Sequence, residues 1–183
     1  GDFNLSQKNI VVKDAELAHQ MKKVMRFVAG DKVILCDGAL NEAIAVITDF
    51  GKDSVSFEIS EVYKNENEPK TKVALFLSIL KRENFELAVQ KAVETGVFEI
   101  FPITTTRTIK TGLNMERIRK NAKESSEQSG CGIIPQVHEP IDFEKAIEIA
   151  KQNNLNILFD PSGISIENLK LKIENSHKNG IFV

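Results

Sequence analysis

The sequence predicts an α/β protein of two domains: a small β-rich domain, read as a compact barrel, followed by an open α/β layer with mainly parallel strands. Three observations predict it. Residues 32–62 hold short apolar–polar alternations punctuated by Asp-Gly and Gly, the later run KVALFLSIL is joined to VFEIF through a helix-period segment, and YKNENEPKTK, with no apolar residue after Tyr63, separates the two regions.

The first element is a helix. Asp14 can cap it, and Leu17, Met21, Val24, Met25 and Val28 give its apolar side before Gly30 and Asp31 break it. Strands follow. KVILCDG ends in an Asp-Gly turn, AIAVITDF ends at Gly51, and SVSFEISEV places Val55, Phe57 and Ile59 on one face. The alternating charges and Pro69 of residues 63–72 mark an exposed linker. We place the domains at residues 1–65 and 70–183.

Beyond the linker the period changes. KVALFLSIL reads as a nearly continuous apolar strand, residues 84–95 as a helix and VFEIF as the next strand. Such a βαβ unit makes its two strands parallel, with a right-handed crossover. A polar helix is predicted from Met115 to Gln128, and another from Asp142 to Gln152 buries Phe143, Ala146, Ile147 and Ala150. The strand NILFD stops at Pro161, a last helix carries Ile166, Leu169 and Ile173 on one side, and GIFV begins a further strand. A buried strand needs partners on both edges, so more chain is expected after Val183.

Composition narrows the function classes. With 42% apolar residues in 183, the chain can fill a core, and no apolar run approaches the roughly 20 residues of a membrane span. No basic-then-apolar leader is present, so a cytoplasmic protein is expected. Cys36 and Cys131 lie far apart without metal-ligand spacing, which predicts reduced thiols and no metal site. A net charge of −2 gives no general attraction to nucleic acid, so a polyanion partner must be met by a local patch.

Two local patches stand out. His19, Lys22, Lys23 and Arg26 recur at i, i+3, i+4 and i+7, which stacks them opposite the apolar stripe of their helix. This stripe suits either a phosphate backbone or a plain solvated helix face. Arg107, in TTTRTIK at the carboxyl end of a parallel strand, stands where open α/β sheets place their ligand crevices. Its guanidinium matches phosphate, and Lys81 and Arg82 occupy the same edge. The stretch QKAVETGVFEIFP carries Gln90, Lys91 and Glu94 just before a helix-to-strand switch at Gly96; those side chains form either an exposed polar face or part of a site. There is no dinucleotide fingerprint, phosphate-binding Walker loop, nucleophile elbow or zinc-protease motif, and neither His138 nor His177 receives a role.

In order, HQMKKVMRFVAGDKVILCDG, LSILKRENFELAVQKAVETGVFEIFPITTTRT, ERIRKNAKESSEQSGCGIIPQV and GIFV resemble the ribosomal RNA small subunit methyltransferase E family of knotted SPOUT methyltransferases. The resemblance spans His19 to Val183. It implies a PUA-like small β-barrel domain for RNA and a SPOUT-type (trefoil-knot) α/β methyltransferase domain, here lacking its C-terminal knot segment. It further implies S-adenosyl-L-methionine as cofactor, methylation at N3 of a specific uridine in the 16S rRNA of the small ribosomal subunit, and a homodimer. By resemblance, Gln90, Lys91, Glu94 and Gln128 belong to a signature beside the RNA and cofactor cleft. Arg26, Lys22, Lys23, Lys81 and Arg107 are the implied RNA contacts, and Phe159, Asp160 and Pro161 the cofactor-adjacent positions.

The sequence departs from the family at three places. Thr95 stands where Leu is usual, Cys131 replaces an expected Arg, and the Gly-Pro-Glu-Gly-Gly loop expected just after Val183 and the later Leu-Arg-Thr-Glu-Thr stretch lie outside the chain. Those loops wrap the cofactor, so the chain alone is expected to be inactive, and no catalytic base is assigned. The alternative from another class is a non-catalytic RNA-binding module or ribosome assembly factor without the cofactor site. A small-molecule enzyme on a similar layered fold is disfavoured by the missing nucleotide fingerprint.

Overall fold

A computed structural model describes residues 4–108, 112–160, 162–163 and 177–183. The expected helix through Ile166, Leu169 and Ile173 lies outside the described residues, as does Pro161. The chain divides into two compact units, Gly1–Asn67 and Glu68–Val183.

In the first unit, β1 (Asn9–Lys13), β2 (Lys32–Cys36), β3 (Asn41–Phe50) and β4 (Ser54–Lys64) form an antiparallel sheet in the order β1-β4-β3-β2. Alternation sends Ala43, Ala45 and Ile47 of β3 and Val55, Phe57 and Ile59 of β4 into one core. The expected barrel takes the form of this sheet with helix α1 (Ala15–His19) packed on its core through Leu17 and Ala18. Two register shifts in the β3–β4 ladder locally bend and twist it. Strand β1 is an addition to the sequence reading.

Asp14 caps α1 as expected, its Oδ1 accepting from Leu17 N at 3.0 Å. The rest of that helix needs correction. A π-helical turn, Gln20–Val24, follows α1, with Met25 N donating to Gln20 O at 2.9 Å. The wider turn resets the phase of the apolar stripe. Leu17 and Met21 pack inside, whereas Val24, Met25 and Val28 are 67%, 54% and 61% exposed. Phe27 takes their place against the core, after Arg26 turns the chain at φ 61°.

The second unit is a parallel sheet. Strands β5 (Lys72–Ser78), β6 (Glu99–Thr104), β7 (Gln136–Val137), β9 (Leu155–Leu158) and β10 (Lys178–Phe182) are ordered β7-β6-β5-β10-β9, and β8 (Ile141–Asp142) pairs with β6. Helices α2 (Arg82–Glu94) and α3 (Met115–Ser129) pack on one face with Phe85, Val89, Val93, Ile118 and Ala122; α4 (Phe143–Ala150) packs on the other. There Phe76 stacks between Phe101 and Phe182, with ring centroids 4.9 and 4.4 Å away. The α4 face differs in part from the one its spacing predicts. Ala146 and Ala150 are buried, whereas Phe143 and Ile147 are 42% and 40% exposed; Phe143 meets the Phe182 ring edge-on at 6.3 Å, and the partly buried Ile149 packs against the core.

Although α3 is rich in polar residues, it can be buried because Ser125 and Ser126 donate to the carbonyls of Asn121 and Ala122 at 2.8 and 3.0 Å. Among the described residues no helix is long and apolar enough to cross a membrane, and no His, Cys, Asp and Glu cluster could hold a metal.

Candidate functional site

Each parallel strand delivers its following loop to the carboxyl edge of the sheet. Backbone bonds fix those loops side by side: Ser78 N to Val183 O at 2.8 Å, Ile79 N to Ile103 O at 3.0 Å and Phe159 N to Phe182 O at 3.2 Å. The edge is partly apolar. Leu80, Leu158 and Phe159 are 44%, 64% and 55% exposed at neighbouring strand ends. Of these, only Phe159 was singled out from sequence; the others were legible as the last apolar residues of buried strands.

Cations flank this edge. Lys81 stands at the start of α2, and Arg107 sits in a turn closed by Thr108 N to Thr105 O at 2.9 Å. Neither has an ion-pair partner among the described residues. Arg82 differs, because Glu86 takes both its Nε at 3.2 Å and Arg117 Nη2 at 2.8 Å, which ties α2 to α3. Asp160 lies exposed after β9, and hydrogen bonds from the Ser162 hydroxyl and backbone N–H hold its carboxyl below the usual range.

The implied cleft signature is found elsewhere. A crossover helix runs antiparallel to its strands, so α2 carries Gln90, Lys91 and Glu94 away from Lys81 toward the amino edge of the sheet. With a rise of about 1.5 Å per residue, Lys91 is roughly 15 Å along the axis from Lys81. Helix α3 runs the same way, and Gln128 lies exposed near its C-terminus. Thus Gln90, Lys91, Glu94 and Gln128 share the amino edge, while Lys81, Arg107, Phe159 and Asp160 share the carboxyl edge.

At the amino edge the polar trio serves itself. Gln90 Nε2 and Lys91 Nζ donate to the two Glu94 oxygens at 2.9 and 2.7 Å. The Lys91 bond, then the Gln90 bond, hold the Glu94 carboxyl below its ordinary range. Thr95 Oγ1 donates back to Ala92 O at 2.9 Å, and Gly96 then takes φ 82°. The Cys131 thiol fills the position of the expected arginine, with Sγ 3.1 Å from Ser129 Oγ and 3.6 Å from Val93 O.

In the first unit, Lys22, Lys23 and Arg26 line a shallow depression with Phe27, Val28, Ala29, Asp49 and Phe50. Lys22 Nζ lies 5.6 Å from the Phe50 ring centroid, a cation–π distance. The π-helical turn leaves His19 outside this group. Lys22, Lys23 and Arg26 have no ion-pair partner among the described residues.

Comparison with known proteins is consistent with this geometry. Residues 66–183 match the family model of an RNA methyltransferase domain, and residues 13–60 that of an RNA methyltransferase PUA domain. The fold is therefore that of a PUA domain joined to an RNA methyltransferase domain.

The chain belongs to this RNA methyltransferase family, and its resemblance to ribosomal RNA small subunit methyltransferase E is borne out by its relatives. The protein of that name from Mesomycoplasma hyopneumoniae is 37% identical over 60% of this chain and 56% of its own length. The one from Rickettsia conorii is 33% identical over 88% of this chain and 64% of its own length. The chain thus spans less than two thirds of each. A crystal structure of a ribosomal RNA small subunit methyltransferase E from Neisseria gonorrhoeae, bound to S-adenosyl methionine, superposes with a TM-score of 0.85 at 21% identity, covering 100% of this chain and 76% of that one. At that identity the likeness concerns the fold.

Proposed function

We propose that the chain is the RNA-binding domain, residues 1–65, and the first part of the catalytic domain, residues 70–183, of an S-adenosylmethionine-dependent methyltransferase. Its substrate is 16S rRNA in the small ribosomal subunit, its product a uridine methylated at N3, and its working form a cytoplasmic homodimer. The observation that carries this reading is the carboxyl edge of the parallel sheet, where exposed apolar side chains lie beside cations that have no ion-pair partner among the described residues. The relatives' names and the cofactor-bound neighbour support it.

The edge fits the cofactor's chemistry. Phe159 and Leu158 offer apolar surface to an adenine ring, and the Asp160 carboxylate is a hydrogen-bond acceptor for ribose hydroxyls. When bound, S-adenosylmethionine supplies a methyl group made electrophilic by its sulfonium. Lys81 and Arg107 are placed to hold RNA phosphates at the same edge, so that catalysis comes largely from orientation. The imide N–H must lose its proton for N3 to attack, and no described residue is assigned as the base. Gln90, Lys91, Glu94 and Gln128 are kept as the cleft signature that the resemblance implies, although α2 and α3 carry them to the other edge of the sheet.

The test uses the chain and a version extended at its C-terminus to the length of the relatives. Methyl transfer from labelled cofactor to small subunits is followed by primer extension, because a methyl on N3 blocks base pairing and stops the polymerase. A stop at one uridine is expected with the extended protein. Labelling without a stop would refute the N3 assignment. RNA binding with no cofactor affinity by titration calorimetry would leave the non-catalytic RNA-binding module or assembly factor as the function.

A further inference from the structure

The π-helical turn does more than disturb a stripe. It leaves Val24, Met25 and Val28 67%, 54% and 61% exposed; Val28 lines the depression with Lys22, Lys23 and Arg26, and Val24 and Met25 stand between those cations in the chain. A soluble protein gains nothing in stability from three exposed large apolar side chains on one short segment, and their grouping with cations on the same turn is the feature to be explained. Arg26 adds to this. At φ 61° it adopts a left-handed conformation that costs an L-residue roughly 1–2 kcal/mol, and the turn brings its side chain to the depression that Lys22 and Lys23 line.

We infer that this turn reads unpaired RNA: Lys22, Lys23 and Arg26 hold phosphates while Val24, Met25 and Val28 pack against bases that have left their stack. The inference rests on the RNA-binding reading above and narrows it to single-stranded segments. Charge selects the occupant, since three cations line the depression with one acid, Asp49, and Asp31, the other acid at the turn, accepts from Val28 N at 2.8 Å. Base faces are apolar and in a duplex they are covered by their neighbours, so only an unstacked strand offers both partners together. The Phe50 ring, already approached by Lys22, is left out of the stacking surface. Three side chains on a single turn are too small an apolar face to anchor the chain in a lipid surface.

Fluorescence anisotropy tests this with a labelled single-stranded RNA and a duplex of the same sequence, titrated with the chain over a series of KCl concentrations. The triple variant V24S/M25S/V28S is compared with K22A/K23A/R26A. All six side chains are exposed, and circular dichroism checks that both variants keep their fold.

The apolar variant is expected to lose roughly tenfold in single-strand affinity, with an unchanged salt slope and unchanged duplex binding. The cationic variant should flatten the single-strand slope by about 2, from three phosphates at about 0.7 each. If the apolar variant binds the single strand as tightly as the parent while the cationic variant flattens the slope, the inference falls and the RNA-binding surface stands. If neither variant changes anything, the assignment of these cations to RNA falls with it. An apolar variant that keeps its RNA affinity but loses binding to phosphatidylglycerol vesicles would also overturn the inference.

Discussion

Gly96 ends the polar stretch that precedes β6, and its replacement by alanine separates two physical costs. The first is conformational: at φ 82° a side chain costs roughly 1–2 kcal/mol. The second is steric. A Cβ on Gly96 would stand 2.5 Å from Pro69 Cγ and 3.0 Å from Pro69 Cδ. A proline ring cannot swing aside, and Glu68 before it accepts from Ile133 N at 2.9 Å, so the backbone must shift at a further cost of about 1–3 kcal/mol. G96A should therefore destabilise the second unit by about 2–5 kcal/mol. Gly130 is the control, because it has φ 70° and open space where its Cβ would be, so G130A should cost only about 1–2 kcal/mol. Urea denaturation followed by far-ultraviolet circular dichroism measures both, since α2, α3 and α4 supply most of the described helix. Removing the ring in the double variant P69A/G96A should bring the cost of the alanine down to the G130A value. Equal losses for G96A and G130A, or no recovery on removing the ring, would refute the steric argument.

Two further outcomes are expected. Phe76 is fully buried between Phe101 and Phe182, so F76A should cost about 3–5 kcal/mol by the same denaturation measurement, and a loss below about 1 kcal/mol would mean that the stack is not tightly packed. The Glu94 carboxyl, held low by Lys91 and Gln90, binds its proton less readily when folded than when unfolded, where its pKa is about 4.3. Its contribution to stability is thus complete above that value and disappears as pH falls through the folded pKa. E94Q should make the fall in stability between about pH 5 and pH 3 shallower; parallel curves for parent and variant would contradict this.

The fold was legible where a period met punctuation. The apolar run of β5, the amphipathic α2 and the short β6 could be read directly, and so could the alternation of Val55, Phe57 and Ile59 in β4. Strand β1 was not, because Ile10 and Val12 turn inward around an exposed Val11, and five residues give too short an alternation to stand out. The π-helical turn was hidden for a different reason. Its bonds to the fifth residue back shift side chains by about one position, and a wheel drawn at 3.6 residues continues the stripe through Val24, Met25 and Val28 as if nothing had happened. In α4 the wheel centres the stripe on Phe143 and Ile147, whereas Ile147 is exposed, Phe143 only meets Phe182 edge-on, and Ile149 packs against the core.

Legibility of the candidate site followed another rule, that a residue's chemistry can be read before its position can. Lys22, Lys23, Arg26, Lys81 and Arg107 were recognisable as cations suited to phosphate, and the sheet's direction puts the last two on one edge. Gln90, Lys91 and Glu94 are equally conspicuous in sequence, yet the direction of α2 carries them to the other edge. There a second account of them is sufficient. A carboxylate at a helix C-terminus is unfavourable beside the unpaired carbonyls, and Glu94 is compensated by the Lys91 cation and the Gln90 amide. Thr95 then satisfies a terminal carbonyl, and Gly96 supplies the left-handed residue that lets Pro69 close over it. A motif of this kind is explained by the end of a helix before any ligand is invoked. Activity lost on changing Glu94 therefore counts toward a role in the reaction only where the stability of E94Q at neutral pH matches that of the parent.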